Sequence, residues 1–433
     1  MPPLIDVRTN TRLLRALGLL GPSREGGVEE RAGCRALHAL LTSLVLAAYA
    51  LAVVPACAAL LRDCRDLDAA VDNACLTLPL FFSGVRCVHF VRRRPAMEAL
   101  FRDLLAFEDL DCSGAVVAER SAILKGASRR ARNLTAFFNC LGVLMLATIT
   151  ASPAVAGARA SRRLPVAAEY LVLDALASPC YEAAYALQVH VSRARGTSTR
   201  TKELLPRKIP GKQGRNNRAA CLFLVIFNVI AFDMACMALV MHARAQFDVL
   251  AVTLRDLGAR ATKEQAGGGG PFSPGLCRRM HQGLVRCIEH HKDVIRFVEK
   301  LDTAYHPIML GLIVYSMTMI AITSFKATES SAEVGDLLKF AALSSTCIFE
   351  LYFFCRLCDD ILQGSQAVAA AACCCDWYDT DAEFKDTLKM LILRANKPVR
   401  LSAGRFRTMS LETFAALLNS SYSLFAMLKQ LNH

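Results

Sequence analysis

The stretch Ala36–Leu61, ALHALLTSLVLAAYALAVVPACAALL, runs for 26 residues without an Asp, Glu, Lys or Arg. A helix of about 20 mostly apolar residues crosses a hydrocarbon core of roughly 30 Å, so this run reads as a membrane span. Asn133–Ala158 is likewise free of these charges, and Thr303–Phe325 is a third such run. Leu67–Val91, Cys221–His242, Leu337–Cys355 and Met409–Leu431 carry one to three charges each and read as further spans, while Leu164–Val191 is marginal. The chain as a whole agrees: 54% of its 433 residues are apolar and only 21% charged, less than the quarter or so typical of soluble domains. The expected fold is all-α and polytopic, with seven transmembrane helices.

Loop charge sets the expected orientation. The segments before span 1, between spans 2 and 3, between 4 and 5, and between 6 and 7 hold 6, 9, 10 and 8 Lys/Arg, against 2, 3 and 1 in the intervening ones. Positive charge accumulates on the cytoplasmic side, which predicts a cytoplasmic N-terminus and an extracellular C-terminus. Arg92, Arg93 and Arg94 mark the inner end of span 2. The first 35 residues alternate arginines with acids and lack an apolar signal core, so span 1 is expected to act as the signal anchor. The expected division is a cytoplasmic segment over 1–35, spans 1 to 6 with their loops over 36–355, a cytoplasmic segment over 356–408, and a pore-lining helix 7 over 409–433. This orientation is opposite to that of G-protein-coupled receptors, and the DRY and NPxxY sequences of that class are missing.

Catalytic chemistry finds no support. The chain has no Walker A, GxSxG or HExxH sequence and no dinucleotide-binding glycine fingerprint between a strand and a helix, so the reading is not an enzyme, with neither cofactor nor metal. Cys355, Cys358 and the run Cys373–Cys375 match no defined zinc geometry. Acylation of the juxtamembrane run is the functional alternative, and packing is the plainer account of most of the 18 cysteines. His281, His290 and His291 fall in an amphipathic loop segment, where solvated or hydrogen-bonded imidazoles are the ordinary case. The net charge of +13 is divided among loops without an aromatic and basic platform, which argues against nucleic acid.

The stretch Lys397–Leu428, KPVRLSAGRFRTMSLETFAALLNSSYSLFAML, closely resembles the terminal signature of insect odorant receptors. Further resemblances follow in order: Ser178-Pro179 with Tyr181, Tyr185 and Gln188; Asp233 and then His242; His290-His291-Lys292; and Trp377. The last span departs from the odorant co-receptor, so the chain resembles a tuning subunit. The resemblance implies a ligand-gated, non-selective cation channel opened by a small volatile odorant. It implies a heterotetramer with the co-receptor, in the plasma membrane of sensory neurons, with one seventh helix per subunit lining the pore. A gustatory receptor channel, a metabotropic seven-helix receptor and a transporter are the alternatives.

On that footing Ser421, Tyr422, Leu424, Phe425 and Leu428 are the expected pore residues, hydroxyls beside apolar groups that can gate by dewetting. Glu412 near the inner mouth would attract cations, or simply suit a helix N-terminus. An odorant pocket should be apolar, with few polar handles, in the outer half of the bundle. The candidates there are Leu80 and Phe81, Thr148 and Ile149, Tyr181 and Tyr185, and Tyr315 and Met319, all residue types that also fill cores. Glu350, costly inside a membrane, is expected to make a contact between helices or subunits.

One segment does not fit. Residues 192–220 hold nine Lys/Arg and one Glu, interrupting what would otherwise be a continuous fourth helix. Pro206 and Pro210 are expected to break it, and removing the segment joins Val191 to Cys221. The expectation is that 192–220 is a translated, unremoved intron. Gly267–Gly270 is expected to be a flexible linker in a cytoplasmic loop.

Overall fold

The structure is a computed structural model, and it describes Thr11, Leu14 and residues 32–62, 67–107, 116–155, 210–258, 274–328 and 334–431. Nine helices account for nearly all of these residues: α1 Ala32–Arg62, α2 Leu67–Arg92, α3 Arg94–Ala106, α4 Val116–Val155, α5 Pro210–Arg255, α6 Pro274–Ala327, α7 Val334–Cys373, α8 Ala382–Ala395 and α9 Leu411–Leu431. A two-stranded hairpin, β1 Ser402–Ala403 and β2 Arg407–Thr408, pairs Ser402 with Thr408 and Ala403 with Arg407. Among the described residues, four helical stretches are long and apolar enough to cross a membrane: Asn73–Arg92, Asn228–Arg255, Gly275–Ala327 and Leu337–Cys373.

The long helices exceed any bilayer. At 1.5 Å per residue, the 46 residues of α5, 54 of α6 and 40 of α7 extend roughly 60 to 80 Å, about twice the hydrocarbon thickness. In α6 the charge-free run begins at Thr303, so the preceding turns, with six Lys/Arg and four acids, lie outside lipid. There α3, α8 and the lower half of α5 pack around α6. Phe247, Phe297 and Phe384 fill that packing and are fully buried.

Helix α5 is the axis of the fold, packing against α2, α4, α6 and α7. Every residue from Ala231 to Met241 is buried, as expected of a helix that is apolar all round. Its N-terminal end corrects one expectation, because Pro210–Ala220 forms the first three turns of α5 and Pro210 begins the helix. A proline in the first turn forfeits no intrahelical hydrogen bond. Residues 192–209, Gly267–Gly270 and the marginal span Leu164–Val191 lie outside the described residues.

The connection into α9 is tightly fixed. Ser402 donates from its backbone N–H (2.7 Å) and its hydroxyl (2.9 Å) to Asp302 of α6, and the Gly404 N–H donates to the His306 carbonyl at 2.9 Å. Gly404 has φ of +63°, the left-handed region in which a missing Cβ matters most. Ser410 then caps α9, accepting from the Thr413 N–H at 3.2 Å.

Candidate functional site

Helix α2 turns Val71, Cys75, Leu78, Phe82 and Arg86 toward its neighbours, a three-to-four-residue rhythm. Of the two residues nominated on this helix, Leu80 is half-buried and Phe81 is exposed. Phe82 is the inward-facing ring. It stacks on Tyr315 of α6 with centroids 5.0 Å apart and planes 21° from parallel. Met319, one turn along α6, is fully buried with Ile320 and Cys347, and Tyr315, Leu78 and Leu418 pack against this group. Tyr315 and Met319 are therefore brought together as the sequence spacing implied, and Tyr315 accepts a weak hydrogen bond from the Cys347 thiol at 3.7 Å. Thr148 and Ile149 fall on α4, with side chains outside the described set, and Tyr181 and Tyr185 lie outside the described residues.

Directly beneath the Phe82–Tyr315 stack sits a cluster that only partly showed in the sequence. The Arg86 guanidinium lies 4.2 Å from the Phe82 ring centroid. Its Nη1 donates to both carboxylate oxygens of Asp233 on α5, at 2.9 and 2.7 Å, and its Nη2 donates to Glu350 on α7 at 2.5 Å. All three side chains are buried. Glu350 thus makes a contact between helices within the chain. Arg86 was overlooked because a single arginine near the end of a span reads as an interface residue. Its distinguishing signal is its place on the Val71, Cys75, Leu78, Phe82 face.

Inward of the cluster is a small cavity of about 20 Å³, room for roughly one water. Its walls include Arg86, Phe90, Phe232, Asp233, Tyr305 and Met309. Among the described residues, Arg86 Nε and the Tyr305 hydroxyl within it find no hydrogen-bond partner. None of the described odorant-contact candidates lines this cavity.

In α9, the five nominated pore residues do not share a face. Ser421 is buried and donates its hydroxyl to the Leu417 carbonyl at 2.8 Å, and Phe425 and Leu428 pack on the cluster of Val71, Ala74, Cys75, Ile322, Phe325 and Phe340. Leu424 is half-buried, whereas Tyr422 is 70% exposed. The uncovered face carries Glu412, Asn419, Ser423 and Gln430, all exposed and spaced by 7, 4 and 7 residues, which aligns them along one side of a helix.

Outside the spans, His291 packs its ring against Phe247, and His290 lies 3.2 Å from the Gln246 side-chain oxygen. Burial, reinforced by Arg120 near His290 and Arg394 near His291, pushes both imidazoles down to about 4. Cys355 and Cys358 are buried along α7, and Cys373 lies some 27 Å further on by helix rise. The two cysteine groups therefore do not form one site, and Cys373–Cys375 stand well away from Leu337–Cys355, the apolar part of α7. Burial raises the Cys375 thiol to about 11. Among the described residues, no three His, Cys, Asp or Glu side chains are grouped to hold a metal ion.

The profile of the 7tm odorant receptor family matches residues 217–422, from the start of α5 through most of α9. Over that stretch the chain resembles the odorant receptor family. Odorant receptor 13a of Drosophila melanogaster is 30% identical over 158 residues, 34% of this chain and 38% of that receptor. The odorant receptor coreceptor of Anopheles gambiae is 26% identical over 144 residues, 33% of this chain and 30% of its own length. The chain thus spans well under half the length of these odorant receptors. The olfactory receptor OR5 of Machilis hrabei, solved with eugenol, shares the fold with a TM-score of 0.71 at 14% identity, over 98% of this chain and 97% of that one.

Proposed function

We propose that this chain is an odorant receptor, a tuning subunit of a ligand-gated, non-selective cation channel, opened by small volatile molecules and assembled with the odorant co-receptor as a heterotetramer. It crosses the plasma membrane of sensory neurons seven times, with its N-terminus cytoplasmic and its C-terminus outside. The observation that carries this reading is the uncovered face of α9. Glu412, Asn419, Ser423 and Gln430 run the length of a 21-residue helix on the side that no other described helix covers. Polar groups in a span are costly against lipid and face water or protein instead, so this stripe suits a subunit-lined aqueous path. Of the residues nominated from sequence, Tyr422 belongs to that path, while Ser421, Leu424, Phe425 and Leu428 hold α9 to its own subunit.

Odorant contacts are assigned to Tyr315 and Met319, the two nominated residues that the fold brings together. Leu418 of α9 packs on the group around Met319, which gives a ligand at Tyr315 a short route to the pore helix. Exposed Met390, Leu393 and Phe406 lie outside the apolar spans. A second subunit accounts for their exposure in a region that lipid does not reach.

The test is whole-cell recording from cells that express this chain with the co-receptor, with G proteins blocked, across a panel of volatiles. Odour-evoked cation current whose permeability ratios change in Glu412→Gln supports the reading. Surface expression without current, or current abolished by the G-protein block, overturns it in favour of a transporter or a metabotropic receptor. Recording the same chain without residues 192–220 tests the intron proposal, since current from the full chain alone would make the segment part of the working receptor.

A further inference from the structure

We propose that Arg86, Asp233 and Glu350 form a clamp that holds α2, α5 and α7 in the resting arrangement, and that an odorant opens the channel by parting the Phe82–Tyr315 stack that covers it. The inference rests on the channel reading above and assigns its resting state to a specific set of contacts.

The geometry makes the cluster both decisive and precarious. Arg86 joins the three helices through Nη1 to Asp233 and Nη2 to Glu350. Two carboxylates face one guanidinium, while Arg86 Nε has no partner among the described residues. A buried ion cluster of this kind contributes little net stability, because desolvation offsets attraction, but losing one member is costly. It therefore serves to fix which arrangement of helices is occupied.

Phe82 links this clamp to the ligand. One of its contacts is with Tyr315, at 5.0 Å between ring centroids, and the other is with the Arg86 guanidinium at 4.2 Å. The rings are in contact, so a molecule that inserts between them must displace Phe82 and, with it, the cation resting on its face. The stacked state excludes the ligand and the parted state admits it, which is the difference in affinity that gating requires. Tyr315 also borders the Met319 group on which Leu418 of α9 sits. Release of the clamp and movement of the pore helix thus share one pivot.

The experiment compares wild type with Glu350→Gln in cells co-expressing the co-receptor, reading surface density, ligand-free current, half-maximal odorant concentration and maximal current. Glu350→Gln keeps the shape and removes the charge, leaving the bidentate Asp233 contact intact. The expected result is a fall in the half-maximal concentration of about three- to tenfold and a measurable ligand-free current, at unchanged surface density. If Glu350→Gln does not reach the surface, Glu350→Asp, which keeps the charge but withdraws the carboxylate, is expected to give the same pair of changes. Wild-type odorant responses together with an unchanged half-maximal concentration and baseline in the surface-expressed variant overturn the clamp while leaving the channel reading intact. A loss of maximal current alone assigns the cluster a purely structural role and also overturns it. A wild-type receptor at the surface that passes no odour-evoked current overturns the channel reading itself, and the clamp with it.

Discussion

Helices α5 and α9 both carry long apolar stretches, yet they are used in opposite ways. Around α5, neighbours cover every side, and the residues from Ala231 to Met241 are buried without a break. Around α9, α6 and α7 cover one side and leave a polar stripe bare. What separates the two helices is the angular position of a few polar groups: the Asp233 carboxylate of α5 turns inward to a cation, while Glu412, Asn419, Ser423 and Gln430 turn outward together.

That contrast can be broken at its strongest point first. Arg86→Ala leaves Asp233 and Glu350 buried without their cation, and the expected loss is about 3–5 kcal/mol, read as a collapse of the melting transition of the purified receptor or of its surface expression. Phe247→Ala, on the extramembrane half of α5, is expected to cost a similar or slightly smaller amount, about 3–5 kcal/mol for a buried ring. Full stability in either variant would mean that α5 is not the axis of the fold. Ser402→Ala removes one of two donors to Asp302 and is expected to cost on the order of 1 kcal/mol. Its sharper effect is on the response to odorant, because the latch fixes the base of α9. At the small end, Ser423→Ala should change stability by less than about 0.5 kcal/mol while altering single-channel conductance. A variant that melts early with unaltered conductance would put Ser423 in a packed face and erase the comparison.

Acidity tests the extramembrane packing separately. His290 and His291 have folded-state values near 4 against an ordinary 6.5, so the folded protein holds them neutral where the unfolded chain protonates them. Their contribution is fully present above about pH 6.5 and is lost as pH falls from there through 4. The melting temperature is expected to drop between pH 7 and pH 5, and His291→Gln is expected to flatten that drop.

Much of the helical order was legible in the sequence because charge-free length is a one-dimensional property. Ala36–Leu61, Asn133–Val155 and Thr303–Phe325 are each helical where their composition places them. Rotation about the helix axis was much less legible. Phe81 and Phe82 are identical in composition, and only the face defined by Leu78 and Arg86 decides which ring turns inward. The same limit split the five residues nominated on α9, since Ser421 and Tyr422 are neighbours in sequence but lie about 100° apart around the helix. Pro210 misled for a different reason: proline breaks a helix interior but suits its first turn, and where a helix begins is decided by what precedes it. Arg86 needed three helices at once, and its partners lie 147 and 264 residues away.

The latch between Asp302 and Ser402 bears on how the receptor is made. The two residues are 100 positions apart, and all of α7 and α8 must be synthesised before they can meet. Until that closure, the base of α9 has no fixed seat. A nascent chain therefore passes through a stage in which its core helices are complete but α9 is unregistered.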